Sequence, residues 1–182
     1  PILLKHLDKN FTGVIIRPAT ICGFTKRCRL DLSVNILTNL AINNKKITVF
    51  GGDQKRPNLN VKDMCRLYET LLEADDNLIQ SQIFNVGYQN NTIMSLAKIV
   101  KQRVEKNMGF ENIEIEVTES NDLRSYHINS DKIFNILGFK PEFSIEDAVD
   151  SICDAFKAGF LKDSMQNSIY SNVKTMQKLK VI

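Results

Sequence analysis

Apolar and polar positions along the chain follow two periods, and together they predict alternating strands and helices. Val14-Ile15-Ile16, after Thr12-Gly13, is continuously apolar and β-branched, the pattern of a strand buried on both faces of a parallel sheet. Arg17-Pro18 ends it, because a residue before proline is held extended and proline donates nothing to a ladder. Ala19 to Arg29 is rich in small and basic residues and reads as a loop. Leu32, Ile36, Leu37, Leu40 and Ala41 recur at helical spacing between Leu30 and Asn44, with Asn43-Asn44 as the stop. Lys46 to Phe50 and Asn58 to Val61 alternate on either side of Gly51-Gly52-Asp53, which predicts a hairpin or bent pair. Asp63 then sits where a helix to about Ala74 begins, an acid where the helix dipole favours one.

Ile83 to Val86 reads as a second buried strand, and Thr92 with Ser95 precedes a helix over Ser95 to Lys106. Ile113 to Thr118 alternates as a strand with Glu114 and Glu116 outward, and Ser130 to Leu137 is a short helix closed by Gly138. Ser144 with Asp147 forms a capping box that opens a helix to about Ala158, stopped by Gly159. Pro1 to Leu7 reads as the second half of an amphipathic helix, with Ile2, Leu3, Leu4 and Leu7 on one side. It carries no signal-peptide pattern, so the chain reads as starting inside an element. Lys162 to Ile182 reads as a polar, weakly amphipathic tail. The result is an α/β chain with mixed strands, without repeats or a dividing linker.

Composition narrows the function classes. With 43% hydrophobic and 25% charged residues among 182, the chain has enough apolar content for one sizeable core. No apolar run approaches the roughly 18 residues of a membrane-spanning helix. Twenty-four Lys and Arg against 21 Asp and Glu leave a net charge of +3 without a concentrated basic patch, which speaks against nucleic-acid and membrane partners. Cys22, Cys28, Cys65 and Cys153 form no Cys-x-x-Cys pair and no zinc spacing. Four reduced, mostly buried thiols follow, and with them a cytoplasmic location.

Chemistry in an open α/β sheet gathers beyond the carboxyl ends of its strands. Here that points to Arg17-Pro18-Ala19-Thr20 and to Gly87-Tyr88. Arg56 and Arg124 each carry a fork that suits two phosphate oxygens, but they make a diphosphate site only if the fold unites them; otherwise they are solvated arginines. His127 alternates with Tyr126 and Ile128 and has no nucleophile arranged beside it. The eight glycines form no Gly-x-Gly-x-x-Gly or Gly-x-x-Gly-x-x-Gly, so the dinucleotide phosphate cradle is missing. A Tyr-x-x-x-Lys occurs at Tyr170 to Lys174. About 0.4 such matches arise by chance at this composition, and this one reads as coincidence.

The run Gly13-Val-Ile-Ile-Arg-Pro-Ala-Thr-Ile-Cys-Gly23 resembles the extended short-chain dehydrogenase/reductases, the NAD-dependent nucleotide-sugar epimerases and dehydratases. The likeness continues in order through Leu30-Asp-Leu-Ser-Val-Asn35, Ile47-Thr-Val-Phe-Gly-Gly-Asp-Gln-Lys-Arg-Pro57, Asn60-Val-Lys-Asp63 and Ile83-Phe-Asn-Val-Gly87. Arg124-Ser-Tyr-His-Ile-Asn-Ser-Asp-Lys-Ile133 and Leu137-Gly-Phe-Lys-Pro141 complete it. The resemblance implies the C-terminal strands of a Rossmann-type parallel sheet plus a small mixed α/β substrate-binding subdomain. Residues 1–29 would end the cofactor domain; 30–182 would be mainly the substrate subdomain, with 83–95 returning to the sheet.

It further implies that Pro18 and Ala19 lie against the nicotinamide of NAD or NADP. Thr20 stands where relatives often have an Asn that touches substrate, and Asn35 would reach a nucleotide-diphosphate sugar. Arg56 and Arg124 match arginines that clamp the diphosphate. Two departures stand out: Cys22 replaces a common Tyr, and Glu119-Ser-Asn-Asp122 replaces a further Arg before Pro-Gly. The family's glycine-rich turn and its catalytic Ser/Thr and Tyr-x-x-x-Lys precede the strand at Val14, the latter two just upstream of Pro1. The resemblance therefore implies the substrate-binding half of an epimerase or dehydratase, inactive alone and without catalytic residues of its own. Unpaired parallel strands would make it homo-oligomeric. A non-catalytic nucleotide-sugar-binding or assembly module is the alternative.

Overall fold

The computed structural model describes residues 2–120 and 124–181. The apolar run after Gly13 forms strand β1 (Ile15–Pro18), and Thr20–Cys22 follows as β2. The chain continues through α1 (Ser33–Asn44), β3 (Lys46–Phe50), β4 (Lys55–Asn60), α2 (Val61–Glu73), the single turn α3 (Asp76–Ile79) and β5 (Ile83–Val86). Then come β6 (Gln89–Thr92), α4 (Ile93–Met108), β7 (Glu114–Thr118), α5 (Asp131–Leu137), α6 (Ile145–Lys157) and α7 (Asn172–Lys178). The fold is α/β with parallel and mixed sheets. β1 pairs parallel with β5 from Ile15 opposite Ile83 to Pro18 opposite Val86. β4 lies between β2, parallel to it, and β6, antiparallel to it. β3 pairs parallel with β7.

Local chemistry fixes the helix ends. The Asn60, Thr92 and Ser144 side chains accept backbone N–H bonds at the starts of α2, α4 and α6, and Ser144 and Asp147 complete the capping box. One core lies among α1, α4, α6 and β3, around Val34, Ile47, Val100 and Val149. A second joins α2 and α5 to the β1–β5 pair, around Leu67, Phe84, Val86 and Ile133. Cys22, Cys28 and Cys153 are buried and Cys65 is exposed, so three of the four thiols match the sequence reading. Burial pushes the thiols of Cys22 and Cys153 up to about 12.

Five readings are corrected. The strands flanking Gly51-Gly52 do not pair as a hairpin: β3 takes β7 as its partner, while β4 takes β2 and β6. Gly51 and Gly52 have φ of 77° and 131°, and the Gln54 side chain accepts from the Gly52 N–H and donates to the Phe50 carbonyl. That left-handed turn swings the chain into another sheet. The predicted loop from Ala19 contains β2, because Thr20 to Cys22 finds a parallel partner in β4. Helix α2 starts at Val61, before Asp63, since Asn60 caps it.

The N-terminal segment forms one 3₁₀ turn, Leu3–Lys5, with Ile2 80% exposed, rather than half of an amphipathic helix. Gln80 holds the chain that follows, accepting from the Gly13 N–H and donating to the Asp8 and Phe11 carbonyls. The C-terminal segment is more than a polar tail. Leu161 and Tyr170 are buried with Cys28, Leu30 and Ile152 in a third cluster. The reading of an Asn121-Asp122 turn, like Pro1 and Ile182, lies outside the described residues.

Candidate functional site

Strand β4 organises the first of two neighbouring zones. Its inward polar residues Asn58 and Asn60 are 1% and 4% exposed, so each must spend its hydrogen bonds inside. Asn58 accepts from the Ser33 hydroxyl at the start of α1 and donates to the Arg56 carbonyl. Asn60 donates to the Ser144 carbonyl. These bonds fix the backbone from which Arg56 projects.

The structure sets the Arg56 side chain against the main chain of Arg124. The Arg56 guanidinium donates to the Arg124 carbonyl and lies 5.0 Å from the ring centroid of Tyr126. The segment bearing Arg124 is stitched to β4 by Lys55 N–H to Ser125 Oγ and by Tyr126 N–H to the Lys55 carbonyl. Tyr126 serves as an exposed platform, and His127 is exposed beside it without a nucleophile. An arginine oriented by a carbonyl and an aromatic face keeps its fork in one plane, which suits a planar or bidentate anion.

At the end of β1, Pro18 is exposed and Ala19 buried, with the Ala19 N–H donating to the Val86 carbonyl. Gly87 packs so closely that a Cβ there would meet Ile128 Cγ2 at 2.1 Å and the Ala19 Cβ at 3.2 Å. Ser130 seals this junction: its hydroxyl accepts from the Gly87 N–H and donates to the Gly87 carbonyl. Pro18 and Ala19 could offer a nicotinamide an apolar edge. No described glycine-rich turn offers a cradle for a dinucleotide's phosphates, so the residues present do not fit the whole cofactor.

The second zone opens beyond β2, at a cavity of about 140 Å³ whose lining includes Gly23, Thr25, Arg27, Arg29 and Asn35. Asn35 is 3% exposed and turned into this loop, accepting from the Gly23 N–H at 3.0 Å and donating to the Arg29 carbonyl at 2.8 Å. It borders the cavity and shapes its wall. Thr20 is half-buried in β2, opposite Asn58, between the two zones. Arg56 stands two residues before that level and Gly23 three beyond it, so about 16 Å of strand separates the zones.

Sequence reasoning missed Asn58, Asn60 and Asp63 as organisers. The available signal was an Asn-Leu-Asn alternation that put amides on a strand's inner side. Tyr170, from the Tyr-x-x-x-Lys match, is buried with its hydroxyl donating to the Lys162 carbonyl at 3.1 Å, a packing role. Among the described residues no cluster of His, Cys, Asp and Glu could hold a metal ion, and no helix is long and apolar enough to cross a membrane.

Residues 3–87 match the model of the NAD dependent epimerase/dehydratase family. Among solved structures the chain is similar to UDP-glucuronic acid 4-epimerase from Bacillus cereus, in complex with UDP-glucuronic acid and NAD. That similarity has TM-score 0.69 and 22% identity over 86% of this chain and 48% of that one. It is also similar to UDP-glucose 4-epimerase from Thermotoga maritima with UDP-glucose (0.64, 20%, 84% and 48%). dTDP-glucose 4,6-dehydratase from Bacillus anthracis, in complex with NAD, gives 0.63 and 19% over 80% and 44%. At these identities the likeness shows the fold, and the chain spans about half the length of each structure.

Proposed function

We propose that this chain, a partial, about half-length member of the NAD-dependent epimerase/dehydratase family, is the substrate-binding half of an NAD(P)-dependent nucleotide-sugar epimerase or dehydratase. The observation that supports the reading is the Arg56 guanidinium held over the Tyr126 ring and against the Arg124 main-chain carbonyl. Arg56, oriented by that carbonyl and ring, and Arg124, on the segment it touches, would each offer a fork to the phosphates of a nucleotide-diphosphate sugar. Thr20 and Asn35 would lie along the ligand's course from that clamp toward the cavity beyond β2. Pro18 and Ala19 would face the nicotinamide of the whole enzyme.

The chain's own residues bind and orient. The tyrosine of the one Tyr-x-x-x-Lys match is not poised to move a proton, because the Tyr170 hydroxyl donates to the Lys162 carbonyl. Hydride chemistry, when the cofactor is bound, belongs to the parent enzyme.

Titrating the chain with UDP-glucose in a calorimeter tests the reading. Binding is expected, and Arg56→Ala should weaken it by about tenfold or more, the loss of a charge-assisted pair. Absence of binding by the parent chain, or equal affinity in the variant, would sink the proposal. The same reading places the chain in a cytoplasmic homo-oligomer: β1 and β5 form a two-stranded parallel sheet among the described residues, and parallel strands are ordinarily covered and extended by neighbours. An oligomeric elution on size-exclusion chromatography is expected; a monodisperse monomer would remove that part.

A further inference from the structure

The loop after β2 carries Arg27 and Arg29 to the cavity beside Asn35, and the C-terminal segment grips it along its length. The Leu30 N–H donates to the Tyr170 carbonyl at 2.9 Å. Phe24 stacks on Phe160 with ring centroids 5.9 Å apart. Cys28, between the two arginines, is 1% exposed and packs in one cluster with Leu161 and Tyr170.

Asn172 ties both arginines at once. Its side-chain Oδ1 accepts from Arg27 Nη2 at 2.6 Å, and its backbone N–H donates to Asp31 Oδ2 at 3.2 Å. Asp31 in turn holds Arg29 through two bonds, at 2.9 and 3.2 Å. Burial works against the charge of Asp31, yet Arg29, the Asn172 N–H and the Ser171 hydroxyl together keep its carboxyl below the usual carboxylate range. Arg27 is thus oriented by a neutral amide, which fixes its direction without cancelling its charge.

We propose that Asn172 and Tyr170 latch the arginine loop onto its cavity, and that Asn172 is a positioning residue setting Arg27 toward the end of the ligand remote from Arg56. The inference rests on the nucleotide-sugar reading above for the ligand's identity, but not for the latch. Helix α7 suits such a device. It has no buried residue, so polar contacts rather than a buried apolar face tie it down. They include the bond from the Thr175 hydroxyl to the Ser168 carbonyl and those of Asn172.

Two measurements on the full chain decide it. The first is the rate at which a thiol reagent modifies Cys28 in a Cys65→Ser background. Asn172→Ala and Tyr170→Phe should each speed it by about fivefold, the loss of one hydrogen bond, with Cys22 and Cys153 still protected. The second is a double-mutant cycle on UDP-glucose affinity. Asn172→Ala should weaken binding by about fivefold. Combined with Arg27→Ala it should add nothing to the loss from Arg27→Ala alone, whereas with Arg56→Ala the losses should multiply.

Unchanged Cys28 rates in both variants would overturn the latch whatever the ligand does. Multiplying losses in the Asn172–Arg27 pair would overturn the positioning role. Faster Cys28 modification in a chain that binds no UDP-glucose would leave the latch standing and refute the nucleotide-sugar reading instead.

Discussion

Asp63→Ala is expected to lower the free energy of unfolding by about 3–4 kcal/mol, the range for breaking a buried charged network. The Asp63 side chain is fully buried. Its Oδ1 accepts from the Glu142 N–H at 3.0 Å and from Arg66 Nη1 at 2.7 Å, and its Oδ2 accepts from the Phe143 N–H at 2.9 Å. Truncation leaves two backbone donors without an acceptor and a partly buried guanidinium without its carboxylate. Arg66 also pairs with Glu142, so part of its charge stays met, which keeps the loss below the top of the range.

Asp63→Asn should cost less, since it retains one acceptor, but its NH₂ then opposes a backbone donor. Urea unfolding monitored by circular dichroism reads both variants. A loss under about 1 kcal/mol for Asp63→Ala, the value of one ordinary hydrogen bond, would mean that the 140–144 loop is held by its other contacts. The effect reaches the candidate site through Ser144, whose carbonyl accepts from Asn60 on β4.

Asp63 also shows where the sequence was legible and where it was not. Its position at a helix start was readable from local chemistry, as were the caps at Thr92 and Ser144 and the left-handed stop at Gly138. Those features depend on residues within four of one another. The destination of the carboxylate, 79 and 80 residues away at Glu142 and Phe143, depends on tertiary packing that no local pattern encodes.

The strands divide the same way. Apolar runs announced β1 and β5 and their parallel pairing, but not burial on both faces: Arg17, Pro18 and Asn85 are exposed, and only Phe84 and Val86 of the pair are fully buried. Strand β2 stayed hidden: three residues between an alanine and a glycine have no period to show. The Gly51-Gly52 pair signalled a turn but not its hand or exit direction, and so the predicted hairpin was wrong. For the site, the residue types of Arg56 and Arg124 were readable, while the contact of the Arg56 side chain with the Arg124 main chain is a property of the fold. The buried amides Asn58 and Asn60 were overlooked because polar residues in an alternating strand are ordinarily assigned to the wet face.

Phe84→Ala should bring a loss of about 3–5 kcal/mol, the cost of emptying a large aromatic site. Phe84 is 0% exposed on β5, opposite Ile16 of β1, and shares its cluster with Ala19, Leu59, Leu67, Val86 and Ile133. Those neighbours come from β4, β5, the link between β1 and β2, and two helices, so no single element can shift to close the cavity without dragging another. That rigidity puts the expected loss at the upper end of the range. Phe84→Leu keeps most of the volume and should cost no more than about 1.5 kcal/mol.

The two variants separate packing from aromatic character, because Lys132 Nζ lies 5.2 Å from the Phe84 ring centroid and a cation–π contact at an exposed lysine is worth about 0.5–1 kcal/mol. If Phe84→Leu is as damaging as Phe84→Ala, the ring itself, and not the volume it fills, holds β5 to α5. If both losses are small, the second core folds independently of the first. Hydrogen exchange would then show β1, β5 and α2 opening together while α1, α4 and α6 stay protected. Ala19 and Gly87 sit at the ends of the strands that Phe84 anchors, so whichever outcome appears also states how firmly that edge of the candidate site is held.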